Sequence, residues 1–323
     1  MKLRTEIEFP TYPLTIGHRT PIMLAGSCFS VNIGARLRRA KFDLIRSPCG
    51  ISYNPLSMHQ MLQRLADGRP FERSDLTIID GSPYPFFHHG SFRKDTVEQT
   101  QKEIDHAWTE AMQRFSDLGM LVLTWGTAFV WEREGVIVNN CHKRPHSEFN
   151  HRILSVEEII KPYEELLSHL STCHILLNVS PIRHLHAGLV QNNLSKSILH
   201  LAAHTLCQRF SHVHYFPSYE MLIDDLRDYR FYASDLLHPS ELAVDYIWSG
   251  FQTAFFSPKT RTVIGEFDKL QKRLRHRAID PHSISYQRFI QQNQNLLSRA
   301  KQQYPHADWT EEDTLLAMQE RAM

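Results

Sequence analysis

The 323-residue chain lacks any apolar run long enough to cross a membrane, and its opening, MKLRTEIEFPTYPL, lacks an apolar core of signal-peptide length. The expectation is a protein with no membrane span, cytoplasmic unless a leader has been removed. A CxxC pair is also missing. Cys28, Cys49, Cys141, Cys173 and Cys207 are odd in number and widely spaced, which fits reduced thiols better than a disulfide framework. There is no basic excess. A formal net charge of +1 argues against a nucleic-acid partner held by phosphate contacts. The short basic clusters Arg36-Leu37-Arg38-Arg39 and Lys272-Arg273-Leu274-Arg275 read as solvated helix faces. No internal repeat is found, and nothing indicates the oligomeric state. Otherwise the composition is that of an ordinary globular protein, long enough for one elaborated α/β domain or two domains.

Strand and helix signals alternate five times. Apolar runs at 21–25, 42–46, 120–124, 174–179 and 213–216 are each followed by a helical pattern, which predicts a parallel sheet covered on both faces. Helices are expected at about 56–65, 194–210 and 241–256, and after two capping boxes, Asp95 with Glu98 and Ser155 with Glu158. Residues 70–94 interrupt the rhythm with strand-like pieces at Leu76–Ile79 and Phe86–Phe92. Residues 128–150 form a second insertion that includes a hairpin around Glu134-Gly135. Beyond about 256 the chain turns polar, with amphipathic stretches at 267–274 and 289–300 that predict a helical appendage over 257–323.

In such sheets ligands bind at the carboxyl ends of the strands. The residues after each strand are therefore the candidates: Gly26-Ser27, Cys49-Gly50 with Asn54, Gly126-Thr127, Ser180 to His184, and the loop carrying Asp235 and His238. A serine on a strand-to-helix turn is either a helix N-cap or a nucleophile beside orphan N–H donors. Asp235-x-x-His238 supplies a base and the carboxylate that orients it, or caps a turn. Cys28 is the competing nucleophile, since a helix N-terminus activates a thiol. His184-x-His186 and His212-x-His214 invite a metal, but no third ligand stands out. Arg183 and His184 are candidates for holding a substrate carboxylate or sugar, with a structural ion pair as the alternative for Arg183. Trp125, Trp131, Tyr53 and Phe86 either stack on a sugar or belong to the core. No cofactor or metal is called for.

Gly26-Ser27-Cys28-Phe29-Ser30 resembles the signature of the GSCFA family, a bacterial group similar to the SGNH/GDSL hydrolases. Tyr53 to Ser57, Gly126-Thr127-Ala128, Asn140 to Lys143, Val179 to His184, Arg227 to Tyr232 and Asp235 to Ser240 resemble it too, in one order, over about residues 1–255. The resemblance implies a flavodoxin-like three-layer α/β/α fold with a five-stranded parallel sheet over residues 1–256. It also implies Ser27 as nucleophile, His238 as general base and then acid, and Asp235 as its orienting carboxylate. The oxyanion would be held by the N–H groups of Ser27 and Gly50, with Thr127 or Asn54 in place of the family's asparagine, since no Gly-x-Asn follows the third strand. The function so implied is a serine esterase or O-acyltransferase acting on a carbohydrate or other small-molecule ester. The alternative is a non-catalytic binding or assembly protein on the same fold.

Overall fold

A computed structural model describes residues 4–321. In chain order the elements are β1 (Ile22–Gly26), α1 (Cys28–Arg39), β2 (Leu44–Ile45), α2 (Pro55–Ala66), β3 (Thr77–Ile79), β4 (Ser82–Tyr84), α3 (Val97–Arg114) and β5 (Met120–Trp125). There follow β6 (Phe129–Arg133), β7 (Val136–Val138), β8 (Asn150–Ile153), α4 (Val156–His169), β9 (His174–Val179), α5 (Gly188–Arg209), β10 (Val213–Tyr215) and the short α6 (Ser218–Glu220). Helices α7 (Glu241–Phe255), α8 (Pro258–Leu274), α9 (Ile284–Gln303) and α10 (Thr310–Arg321) complete the chain.

Five of these strands form one parallel sheet in the order β10-β9-β5-β1-β2. Numbered among themselves they run 2-1-3-4-5, the flavodoxin order, so the first strand is central and its carboxyl end lies at the topological switch point. Successive side chains on a strand point to opposite faces. Ile22, Met120, Val122 and Leu176 accordingly pack with Phe29, Ile33 and Leu37 of α1 and with Ile247, Phe251 and Phe255 of α7. Met23, Ala25, Leu121, Leu123, Ile175 and Leu177 pack on the other face with α2 to α5, through Met58, Trp108, Tyr163 and Leu199. Because both faces are covered, β5 is buried at every position, and its sequence is a continuous apolar run.

Several elements differ from the sequence expectation for physical reasons. β2 is only two residues long, because Phe42 stacks on the His18 and Phe256 rings instead of entering the sheet. Phe86–Phe92 is not a strand. Pro85 has no N–H for a ladder, and the segment is held by turns and by Trp108 Nε1 donating to His88 Nε2 at 2.9 Å. Helix α3 is capped by Thr96, whose hydroxyl accepts from Gln99 N, one residue after the expected cap. The box at Ser155 and Glu158 closes α4 in both directions, at 3.2 and 2.8 Å. The β6–β7 hairpin turns at Glu134 and Gly135, both at positive φ, and recruits β8 as a third antiparallel strand.

Helices α8 to α10 share a core of Phe267, Leu270, Leu274, Leu297 and Trp309. They are fastened to the corner after α1 by a buried charge. Lys41 Nζ meets Glu312 at 2.6 Å, donates to Asp308 O at 2.7 Å and lies over the Trp309 ring, while Gln271 donates to the second Glu312 oxygen at 2.7 Å. No described helix is long and apolar enough to cross a membrane.

Candidate active site

The site begins at the end of β1. Gly26 has φ +152°, and a Cβ there would stand 2.5 Å from Thr124 O. Only glycine permits β1 and β5 to pair this closely while the chain turns into α1. Ser27 follows in extended conformation at the N-cap position, yet its side chain makes no capping hydrogen bond. Its Oγ is buried and, among the described residues, has no partner. A buried hydroxyl normally has one, so the capping explanation for Ser27 is removed and a free hydroxyl remains at the switch point.

The last sheet strand leads to a second element of the site. Asp235 Oδ1 accepts from the backbone N–H groups of Leu237 and His238 at 2.9 and 3.0 Å, and Oδ2 accepts from His238 Nδ1 at 2.7 Å. Those donors, the His238 backbone foremost, hold the Asp235 carboxyl down at about 2. With a carboxylate as partner, Nδ1 carries the proton and Nε2 is left as the basic atom. The pair is half exposed, and no hydrogen bond joins it to the buried Ser27. The structure thus brings Asp235 and His238 together and leaves Ser27 Oγ separate from them.

The loop after β9 lies between the two. Arg183 N donates to Leu237 O at 3.4 Å, and its guanidinium lies over the rings of Tyr232 and Tyr229, 4.5 and 5.3 Å from their centres. Arg183 therefore fastens the Asp235–His238 loop, through aromatic rings where an ion pair was the sequence alternative. His184 turns inward, edge-on to Tyr53. Burial, then the charge of Lys196, then His238, push its pKa down to about 3.

The oxyanion candidates are engaged elsewhere. Ser27 N donates to Thr124 O and Gly50 N to Ser47 O, each at 3.2 Å. Asn54 caps α2: its carbonyl oxygen accepts from Ser57 N at 2.8 Å and its amide donates to Ser57 Oγ at 2.9 Å. The Thr127 hydroxyl shares a hydrogen bond with Ser195 and accepts from Phe129 N. Cys28 Sγ lies 3.7 Å from the Tyr53 hydroxyl. Trp125 is fully buried against Tyr163, and Phe86 packs with Tyr84, His142 and Phe149, so both are core. His212 and His214 sit at the far edge of the sheet, His214 pairing with His174. No group of three described His, Cys, Asp or Glu side chains is arranged to hold a metal.

Sequence reasoning missed Lys196. It is buried in α5 and donates to Gly126 O and Ser180 O, both at 2.6 Å, tying together the carboxyl ends of β5 and β9. Burial without a carboxylate pushes its pKa down to about 7. A signal was present. Asn192, Ser195, Leu199, Ala202 and Leu206 form the buried stripe of α5, and Lys196 falls on it by helical spacing.

A cavity of about 390 Å³ opens beside His184, with Tyr53, Trp131, Asn140, Lys143, His151 and His186 in its wall. No Asp or Glu lines it. Trp131 stacks on His151 at 4.1 Å between ring centres, and His186 stands edge-on to both.

Fold and site define a doubly wound α/β protein with a free serine after its first strand and a His–Asp pair after its last. The chain belongs to the GSCFA family, whose family model matches residues 21–251. Residues 267–321 match the C-terminal domain of GSCFA domain proteins, so the family relation reaches into the terminal helices as well. Among solved structures, the chain is similar to a crystal structure of a carbohydrate esterase family 3 from Talaromyces cellulolyticus. The identity is 12% and the TM-score 0.30, over 76% of this chain and 99% of that one. A search of curated proteins finds no match.

Proposed function

We propose that this protein is a serine-dependent esterase or O-acyltransferase acting on an acylated carbohydrate or other small ester. The observation that carries the reading is the Asp235–His238 hydrogen bond, 2.7 Å long, together with a buried Ser27 hydroxyl that has no partner among the described residues. In the reaction His238 Nε2 takes the Ser27 proton as Oγ bonds to the acyl carbon. The tetrahedral adduct collapses, and the leaving alkoxide receives that proton from His238. Water or a second hydroxyl, deprotonated by His238, then takes the acyl group, and Ser27 Oγ, the leaving group, recovers the proton from His238. Asp235 holds the Nδ1–H tautomer throughout. Because Ser27 is buried and His238 half exposed, the reading requires the chain around Ser27 to open to the ester and the 233–239 loop to bring His238 Nε2 within hydrogen-bond reach of Oγ. The alcohol part is assigned to the cavity beside His184, where histidine and asparagine side chains offer donors and acceptors to hydroxyl groups.

The test is incubation with a short-chain aryl ester and with a serine-directed phosphonate, followed by mass spectrometry. The expected result is turnover and an adduct on Ser27. Both should be lost in His238→Ala, and turnover in Ser27→Ala, with the fold retained. A folded protein that gives neither turnover nor adduct refutes the enzyme and leaves a binding protein on this fold. Activity that survives Ser27→Ala and disappears in Cys28→Ala moves the nucleophile to Cys28.

A further inference from the structure

The turn after β5 lies between Ser27 and His184. Gly126 N donates to Tyr53 O at 2.8 Å. A Cβ built on Gly126 would lie 3.0 Å from His184 Nε2, 3.1 Å from Tyr53 O and 3.4 Å from Ser27 Cβ. Ser27 Cβ and His184 Nε2 therefore flank one point, and glycine keeps that point free of a side chain. Ser27 Oγ and His184 Nε2 are both buried, and among the described residues neither has a hydrogen-bond partner. Two orphaned polar atoms on residues that flank one point need an explanation, because leaving such groups unpaired costs about 1–3 kcal/mol each.

A serine adduct needs donors aimed at its oxyanion, and the loss of one costs about 10²–10³ in kcat. Every oxyanion donor that the sequence offered is engaged in a hydrogen bond within the fold. We infer that His184, as a neutral imidazole, donates its Nε2–H to the oxyanion formed at Ser27. This inference rests on the serine-enzyme reading above.

Chemistry separates this role from that of a base. Burial and the neighbouring Lys196 charge keep the His184 ring unprotonated at neutral pH, with little affinity for the Ser27 proton. A neutral ring still carries one N–H. An oxyanion beside Nε2 selects the tautomer that places the proton there, and it meets a dipole that needs no reorganisation. Catalysis by a neutral histidine kept so by its surroundings has a precedent in principle. Gly126 then has a role of its own, since a side chain at that position would fill the space between Ser27 and His184.

The experiment compares wild type, His184→Ala and His184→Gln with an aryl acetate and, separately, with an aryl boronic acid, which forms a tetrahedral adduct on a nucleophilic serine. His184→Gln keeps an N–H at about the same reach. For His184→Ala the expected result is a fall in kcat of about 10²–10³-fold with KM nearly unchanged, a matching loss of boronate affinity, and recovery of most of both in His184→Gln. If His184→Ala fails to fold, Gly126→Ala, which crowds Nε2 from 3.0 Å, takes its place with the same expected split between kcat and KM. Folded variants with wild-type kcat, or an effect confined to KM, or glutamine no better than alanine, overturn the role. Phosphonate labelling of Ser27 distinguishes the two failures. Labelled and active wild type with an unaffected His184→Ala sinks only this inference, whereas unlabelled, inactive wild type sinks the serine enzyme and His184's role together.

Discussion

Lys196→Met should change the pH dependence of stability in a way set by one buried amine. The ammonium lies in the protein interior with two carbonyl acceptors and no carboxylate, and its pKa falls from 10.5 to about 7. Between those values the unfolded lysine carries a proton that the folded one lacks, so raising the pH favours the folded state. Below pH 7 the whole cost of the buried charge is present. Each pH unit inside the window contributes about 1.4 kcal/mol. Between pH 6 and 9 the wild type should therefore gain about 2–3 kcal/mol relative to Lys196→Met. Losing the hydrogen bonds to Gly126 O and Ser180 O adds a cost to the variant of about 1–3 kcal/mol per carbonyl, but that cost does not vary with pH. In the folded state His184 and His200, which feel the Lys196 charge, are held at about 3 and 4 and do not titrate in this window, and their unfolded-state titration is common to both proteins and cancels in the difference. The assay is urea unfolding of both proteins at pH 6, 7, 8 and 9. A stability difference constant within about 0.5 kcal/mol across that range, or one that moves the other way, would refute the buried-ammonium argument.

Gly26→Ala should destabilise the protein by roughly 3–5 kcal/mol, because the new methyl meets Thr124 O at 2.5 Å in a backbone conformation that alanine disfavours; thermal melting checks this. Lys41→Met leaves Glu312 fully buried without its cation, which costs about 3–5 kcal/mol. Limited proteolysis should then cut between α7 and α8 and release the terminal helices, while Lys41→Met with Glu312→Leu restores much of the protection.

The sequence by itself determined what depends on neighbours along the chain. Continuous apolar runs at Met120 and His174 announce strands covered on both faces, the Ser155–Glu158 box announces α4, and Glu134-Gly135 announces the hairpin. The Asp235–His238 contact spans only three residues, so an Asx-type turn builds it locally. Where local signals competed, position was lost by a residue or two: Thr96 took the cap that Asp95 could have made, and Asn54, next to Pro55, caps α2. Tertiary structure decided everything carried by distant residues meeting. His184 reaches the gap beside Ser27 only because the 2-1-3-4-5 order sets β9 next to β5 and β5 next to β1, so that the loops after β1 and β9 open on the same sheet edge. Lys196 joins the ends of β5 and β9 across 70 and 16 residues of sequence, and Lys41 meets Glu312 across 271. Periodicity and caps record how a segment folds on itself. Which backbone donors are already engaged, and which buried atoms remain free for chemistry, is settled only when the strands pack side by side.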